Sequence, residues 1–200
     1  MWGRTSMPIL AGAHVRLAPM KMERCDNLFD VTAPNTFEFF PGAPRAWTRE
    51  AFRGFVSHLL AEESRWMFVV SLPGNGNNSD GERIIGSTSF MDMRPAHRGL
   101  EIGSTWYASE QRGTKVNPTC KLLMLEHAFV VLGCERVQLK CDGRNQQSTR
   151  AIIKLGACFE GTLRKHMIMP DGFVRDTAMF SVVRNEWPAV RERLLARVAE

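Results

Sequence analysis

No stretch of this chain reaches the roughly 18 consecutive apolar residues that a membrane-spanning helix needs. The opening residues, among them Trp2, Gly3 and Arg4, also lack the long apolar run of a secretory signal. A soluble, cytoplasmic protein is expected, with residues 1–7 as a flexible N-terminus ahead of one domain over residues 8–200. Cysteine lacks pattern: Cys25, Cys120, Cys134, Cys141 and Cys158 form no C-x-x-C pair and are odd in total. That argues against a disulfide framework and against a structural zinc site. His14, His58, His127 and His166 show no metal-ligand spacing, so no metal is expected. The signature of a nucleotide-binding P-loop is missing, and Gly74-Asn75-Gly76, with no helix after it, reads as a hairpin loop.

What is present is enough apolar material for a core: 44% of the 200 residues are hydrophobic. The net charge of +5 suits an anionic ligand such as a nucleotide phosphate, though net charge bears on association rather than fold. No RNA-recognition motif or basic run interleaved with aromatics is present, so nucleic acid is not an expected partner. Short β-type runs alternate with helical patterns, which predicts a mixed α/β domain. Strands are expected over residues 14–19, 66–72, 83–92, 100–108, 135–141, 158–169 and 175–183. Helices are expected over residues 21–30, from Thr48 as N-cap to Glu63, over 118–132 with Asn117 as N-cap, over 146–155 up to Gly156, and from Asn185 nearly to Glu200. The aromatic group Phe37, Phe39, Phe40 and Trp47 reads as a loop anchor to the core.

Two segments concentrate chemistry. In Gln111-Arg112-Gly113-Thr114-Lys115-Val116-Asn117, a strand ends and a helix begins. Backbone N–H groups, a helix N-terminus and two cations converge there, a suitable cradle for a pyrophosphate, with an ordinary strand-to-helix turn as the other reading. The second segment runs from Asn145-Gln146-Gln147-Ser148 through Leu155-Gly156-Ala157 to Glu160-Gly161. With Ile85-Gly86-Ser87, Glu101-Ile102-Gly103, Glu126-His127-Ala128-Phe129, Asp171-Gly172 and Glu186-Trp187 in this order, the chain resembles the GNAT acetyltransferase superfamily. Within it, the RimJ/RimL-like branch of ribosomal-protein N-terminal acetyltransferases is the nearest resemblance.

The resemblance implies a splayed, mostly antiparallel mixed sheet flanked by helices, of α+β type, that admits acetyl-CoA between two diverging strands. It implies that Trp106, Tyr107 and Ala108 offer backbone groups to pantetheine. Arg112, Gly113, Thr114, Lys115, Val116 and Asn117 would hold the pyrophosphate, and Asn145 and Ser148 would face the cofactor. The partners implied are acetyl-CoA and an amine acceptor, a protein N-terminus or a small molecule, with a homodimer as a family expectation. Two positions depart from the family pattern: Lys115 stands where a second glycine is common, and Ile152 where a tyrosine often protonates the leaving thiolate.

Acetyl transfer needs a base for the amine and a donor for the thiolate. Glu101 is the expected base, because strand alternation puts it on one face with Gly103 and Thr105; its bland alternative is a structural hydrogen-bond partner. Ser148 is the expected thiolate donor or positioning group. Asp92 and His97 are further base candidates, His97 reading as a solvated loop residue, and Cys141 reads as a buried structural thiol. The alternative from another class is a non-catalytic, CoA- or RNA/ribosome-associated module on the same fold.

Overall fold

The computed structural model describes residues 2, 7–44, 46–74 and 82–199. Eight strands form one sheet: β1 (Leu10–Ala11), β2 (Arg16–Pro19), β3 (Trp66–Leu72), β4 (Arg83–Arg94), β5 (Gly99–Tyr107), β6 (Arg136–Asp142), β7 (Cys158–Ile168) and β8 (Val174–Val183). Their spatial order is β1-β2-β3-β4-β5-β6-β8-β7, and every pairing is antiparallel except β5 with β6. The helices are α1 (Cys25–Asp30), α2 (Arg49–Ala61), α3 (Val116–Glu126), α4 (Gln146–Leu155) and α5 (Trp187–Ala199). Of residues 1–7, expected to be flexible, Trp2 and Met7 pack against the core, and Trp2 Nε1 donates to Leu132 O; the others lie outside the described residues. So does most of the 73–81 loop, with Asn75 and Gly76 of the expected hairpin turn.

Apolar side chains separate into two cores because successive strand residues point to opposite faces. One face carries Leu17, Phe68, Ile85, Phe90, Leu100, Val137 and Leu139 against α3 and α5. The other carries Ala18, Met67, Val69 and Trp106 against α1 and α2, where α2 buries Phe52, Val56 and Leu59. Thr48 caps α2 by accepting from the Ala51 N–H at 3.1 Å, and Gly156 ends α4 with φ 110°.

The third helix departs from the expected span. It begins at Val116, so Asn117 and Pro118 lie inside its first turn, where proline removes no helical hydrogen bond. Asn117 is therefore not the cap: its Oδ1 accepts from the Tyr107 hydroxyl at 3.3 Å. At the far end α3 widens into a π-helical segment, His127–Val131, before Gly133 at φ 68° turns the chain. That segment presses His127 onto Phe90 with Nε2 buried and without a hydrogen-bond partner among the described residues, and burial lowers the imidazole pKa from 6.5. Folding thus favours neutral His127, and its contribution to stability is present above pH 6.5 and lost as the pH falls through the lowered folded value. Urea melts of His127→Gln should show a shallower loss of stability between pH 6.5 and 5 than the parent; equal slopes would remove His127 from the acid response.

Candidate active site

β5 and β6 pair only over Gly99↔Arg136, Leu100↔Val137 and Glu101↔Gln138, then diverge. A bulge accompanies the divergence. Ser87 faces Trp106 and Ser89 faces Gly103, so the single Thr88 opposes both Ser104 and Thr105, with Ser104 at φ 47°. The result is a half-exposed stretch, residues 103–105, in the middle of a central strand. The bulge also overturns the expected alternation. Thr105 Oγ1 meets Lys121 Nζ of α3 at 2.9 Å, on the opposite face from Glu101. Of Gly103 and Thr105, only Gly103 shares the face of Glu101.

Glu101 is 1% exposed. Its Oε2 accepts from Gln138 Nε2 at 3.0 Å and pairs with Lys140 Nζ at 2.9 Å. Its Oε1 points along β5, where a Cβ on Gly103 would come within 2.8 Å of it and of Met91 Sδ. Gly103 is thus the space beside this oxygen. The carboxylate is anchored through one oxygen and leaves the other toward the opening.

At the end of β5 the backbone divides its work. The Trp106 carbonyl lies against Gly86, and the Ala108 N–H donates to Ile85 O at 2.8 Å while its carbonyl accepts from Gln111 N. By strand alternation Tyr107 is the residue whose N–H and C=O face the open edge. The three-residue expectation therefore narrows to Tyr107, while the Trp106 ring is buried among Phe37, Phe40 and Phe55. The Tyr107 phenol, raised well above 10 by burial, is bound to Asn117 and Cys120.

Beyond Tyr107 lies a cavity of about 500 Å³ lined by Gly113, Thr114, Lys115, Pro118, Lys154 and Arg197. Gly113 adopts φ 79°, a conformation that favours glycine although nothing crowds the position. Lys115 sits at φ −68° and ψ −10°, ordinary right-handed backbone, so no second glycine is needed there. Thr114 Oγ1 accepts from the Val116 N–H at 3.2 Å and donates to Gln111 O at 2.8 Å, fixing the turn. Lys115 Nζ donates to Ala199 O at 3.3 Å. Lys154 of α4 and Arg197 of α5, both missed in the sequence, bring two further cations to the cradle; the only signal for them was the net positive charge.

Asn145 caps α4, its Oδ1 accepting from the Ser148 N–H at 2.9 Å. Ser148 is half-buried at this first turn, one turn before the buried Ile152. Cys141 is buried with Sγ 3.4 Å from Thr149 Oγ1. Asp92 pairs with Arg94 and His97 is exposed. Glu160 is clamped by Arg136 and by Ser181, and the hydrogen-bonded guanidinium holds its carboxyl below the usual range.

A second polar cluster lies at the far end of β6. Burial raises the Asp142 carboxyl, but hydrogen bonds from the Arg144 side chain and backbone outweigh it and leave the pKa lowered. Arg175, 4% exposed, donates to Thr177 Oγ1 and Phe39 O, both at 3.2 Å. Arg144 lies over Phe173 at 3.7 Å and Phe39 at 5.6 Å. Phe37 is a core anchor as expected, whereas Phe39 borders this cluster. Among the described residues no group of three or more His, Cys, Asp or Glu could hold a metal, and no helix is long and apolar enough to cross a membrane.

A mostly antiparallel sheet that parts at one parallel pair, beside a cationic strand-to-helix turn, is the architecture of an acyl-CoA-binding acetyltransferase. The GNAT acetyltransferase domain model matches residues 14–157, and the chain belongs to this family. A crystallised protein from T. thermophilus is 38% identical, with 99% of this chain and 100% of that one covered at a TM-score of 0.88. The uncharacterized N-acetyltransferase YoaA of Bacillus subtilis (strain 168) is 28% identical over 105 residues, 52% of this chain; the match spans only 58% of YoaA's own length. RimJ of Mycobacterium smegmatis, solved with CoA-disulfide, shares the fold at a TM-score of 0.73 and 23% identity, covering 94% of this chain and 92% of that one.

Proposed function

We propose that this chain is an acetyl-CoA-dependent N-acetyltransferase that passes the acetyl group directly to a primary amine in a ternary complex. The observation that carries the reading is the opening of residues 103–105 on a central strand, with an anion cradle at one end and a buried carboxylate at the other. The cofactor's pyrophosphate belongs in the cavity with Gly113, Thr114, Lys115, Lys154 and Arg197, assisted by Arg112 and by the N–H group of Asn117, that of Val116 being engaged by Thr114 Oγ1. Pantetheine runs along the open edge of β5, where Tyr107 offers its backbone.

Glu101 takes the amine proton, directly or through water, and a β5 backbone N–H steadies the tetrahedral intermediate. Asn145 and Ser148 face the thioester from α4. A protein N-terminus is the acceptor that the RimJ/RimL-like motifs favour, with a small-molecule amine as the other candidate. The same reading puts the reaction in the cytoplasm, with the exposed edge strand β7 as the surface for a homodimer.

Calorimetric titration with acetyl-CoA tests the cofactor half without knowledge of the acceptor. One saturable site is expected, weakened roughly tenfold or more in Lys154→Glu/Arg197→Glu because two attractive charges become repulsive. No binding at millimolar acetyl-CoA would sink the reading. Binding with no thiol release to free N-terminal peptides, amino acids or spermine would leave a non-catalytic CoA-binding module, for which Ile152 in the tyrosine position is the supporting feature.

A further inference from the structure

A buried ammonium with no carboxylate beside it calls for a reason. Lys121 lies on the inner side of α3, 7% exposed, and Nζ donates to Thr105 Oγ1 at 2.9 Å. Thr105 shares a second hydrogen bond with Thr88 Oγ1 at 2.8 Å, and Thr88 Oγ1 lies 3.6 Å from Met124 Sδ. These neighbours are neutral and engage one of the three N–H donors. The titratable group that acts on Lys121 is Cys120, next to it on α3, and Cys120 is in turn hydrogen-bonded to Tyr107 of β5. Among the described residues Lys121 enters no ion pair, and Glu101 lies on the other face of β5. Burial lowers the Lys121 pKa from 10.5 to about 8.

The position answers the need. Thr105 is the last residue of the half-exposed stretch that the diverging β6 leaves open, and its hydroxyl holds Lys121 Nζ at 2.9 Å on the face that α3 covers. On α4, buried Ile152 offers no proton where the family pattern often has a tyrosine. We propose that Lys121 is the acid of the reaction, protonating the CoA sulfur as it leaves. This rests on the acetyl-transfer reading above.

The acceptor nitrogen adds its lone pair to the thioester carbonyl carbon, and the carbonyl electrons move to oxygen. As the carbonyl re-forms, the C–S bond breaks with its electron pair on sulfur. Sulfur takes a proton from Lys121 Nζ to give CoA thiol, and the acceptor nitrogen gives its extra proton to Glu101. Solvent then reprotonates Lys121 and deprotonates Glu101, so the products are the acetylated amine and CoA alone. An ammonium poised near pH 8 is better matched to a thiolate than an ordinary lysine.

The test is the ionisation of CoA bound to the protein, followed by thiolate ultraviolet absorbance against pH, with Lys121→Met and Lys121→Arg as variants and circular dichroism as the folding check. The bound thiol should ionise about one pH unit lower on the parent than on Lys121→Met, because the ammonium favours the thiolate. Lys121→Arg should keep that lowered ionisation yet lose at least roughly tenfold in thiol release from acetyl-CoA to hydroxylamine, since guanidinium does not give up a proton. If Lys121→Met does not fold, Lys121→Gln takes its place.

Identical thiol titrations in parent and neutral variant overturn the proposal, as does a CoA affinity weakened tenfold in the neutral variant, which would make Lys121 a pantetheine contact. A parent protein that binds CoA with the lowered thiol ionisation supports the proposal whatever the acceptor proves to be. A parent that binds no CoA removes the acetyl-transfer reading, and this one with it.

Discussion

Glu101→Gln is expected to lower kcat by about 100-fold or more while leaving acetyl-CoA affinity within about twofold. Glutamine keeps the shape and can still accept from Gln138 at one oxygen, so the fold around β5 and β6 persists. It cannot take a proton from the acceptor. Lys140, whose side chain is 19% exposed, loses its partner but can turn to water. Gly103→Ala probes the same role from the other side: its Cβ would stand 2.8 Å from Glu101 Oε1 and must push the carboxylate or the Met91 sulfur aside. Because a displacement near 1 Å can cost about 100-fold in rate, this variant should be nearly as slow as Glu101→Gln. Steady-state kinetics with the best acceptor found checks both. Full turnover in Glu101→Gln across the pH range would return Glu101 to a structural partner of Lys140.

The sequence shows the elements well where a side chain performs a local task. Thr48 and Gly156 mark helix ends by capping chemistry, and each occupies the cap it suggests. The cradle is similarly visible, because Gly113, Thr114 and Lys115 are contiguous. The bulge is not visible. It sits on Ser104 at φ 47°, a conformation that serine advertises in no way, so alternation carried Thr105 to the wrong face. Asn117 looks like a cap because Pro118 follows it, but proline is tolerated throughout the first turn, and the helix starts earlier. Lys154 and Arg197 join the cradle through the packing of α4 and α5, far along the chain, where adjacency in sequence gives no hint. Nothing in the sequence singles out Lys121, whose burial follows from the register of α3 against β5.

Lys121→Met should stabilise the protein at pH 7 by about 3 kcal/mol. The ammonium pKa falls from 10.5 to about 8 on folding, and each unit corresponds to about 1.4 kcal/mol. Below pH 8 lysine is charged in both the folded and the unfolded chain, so the full penalty is present. As the pH rises from about 8 to 10.5 the folded lysine sheds its proton first, the unfolded chain holds more protons, and stability increases. Burial of cysteine acts with the opposite sign: Cys120 rises from 9.0 to about 11 and Cys134 to about 12. Their contribution is complete below pH 9 and lost above it.

The thiols lose stability over the same range in both proteins, so the lysine effect is read as a difference: between pH 8 and 9 the parent should gain about 1 kcal/mol relative to Lys121→Met. Urea melts at pH 7, 8 and 9 with unchanged m-values measure it. A methionine variant less stable than the parent at pH 7 would mean that the lysine is compensated in the fold and that nothing is left over to explain by catalysis. A more stable variant that turns over more slowly is the signature of a charge kept in the core for what it does to sulfur rather than for what it does to folding.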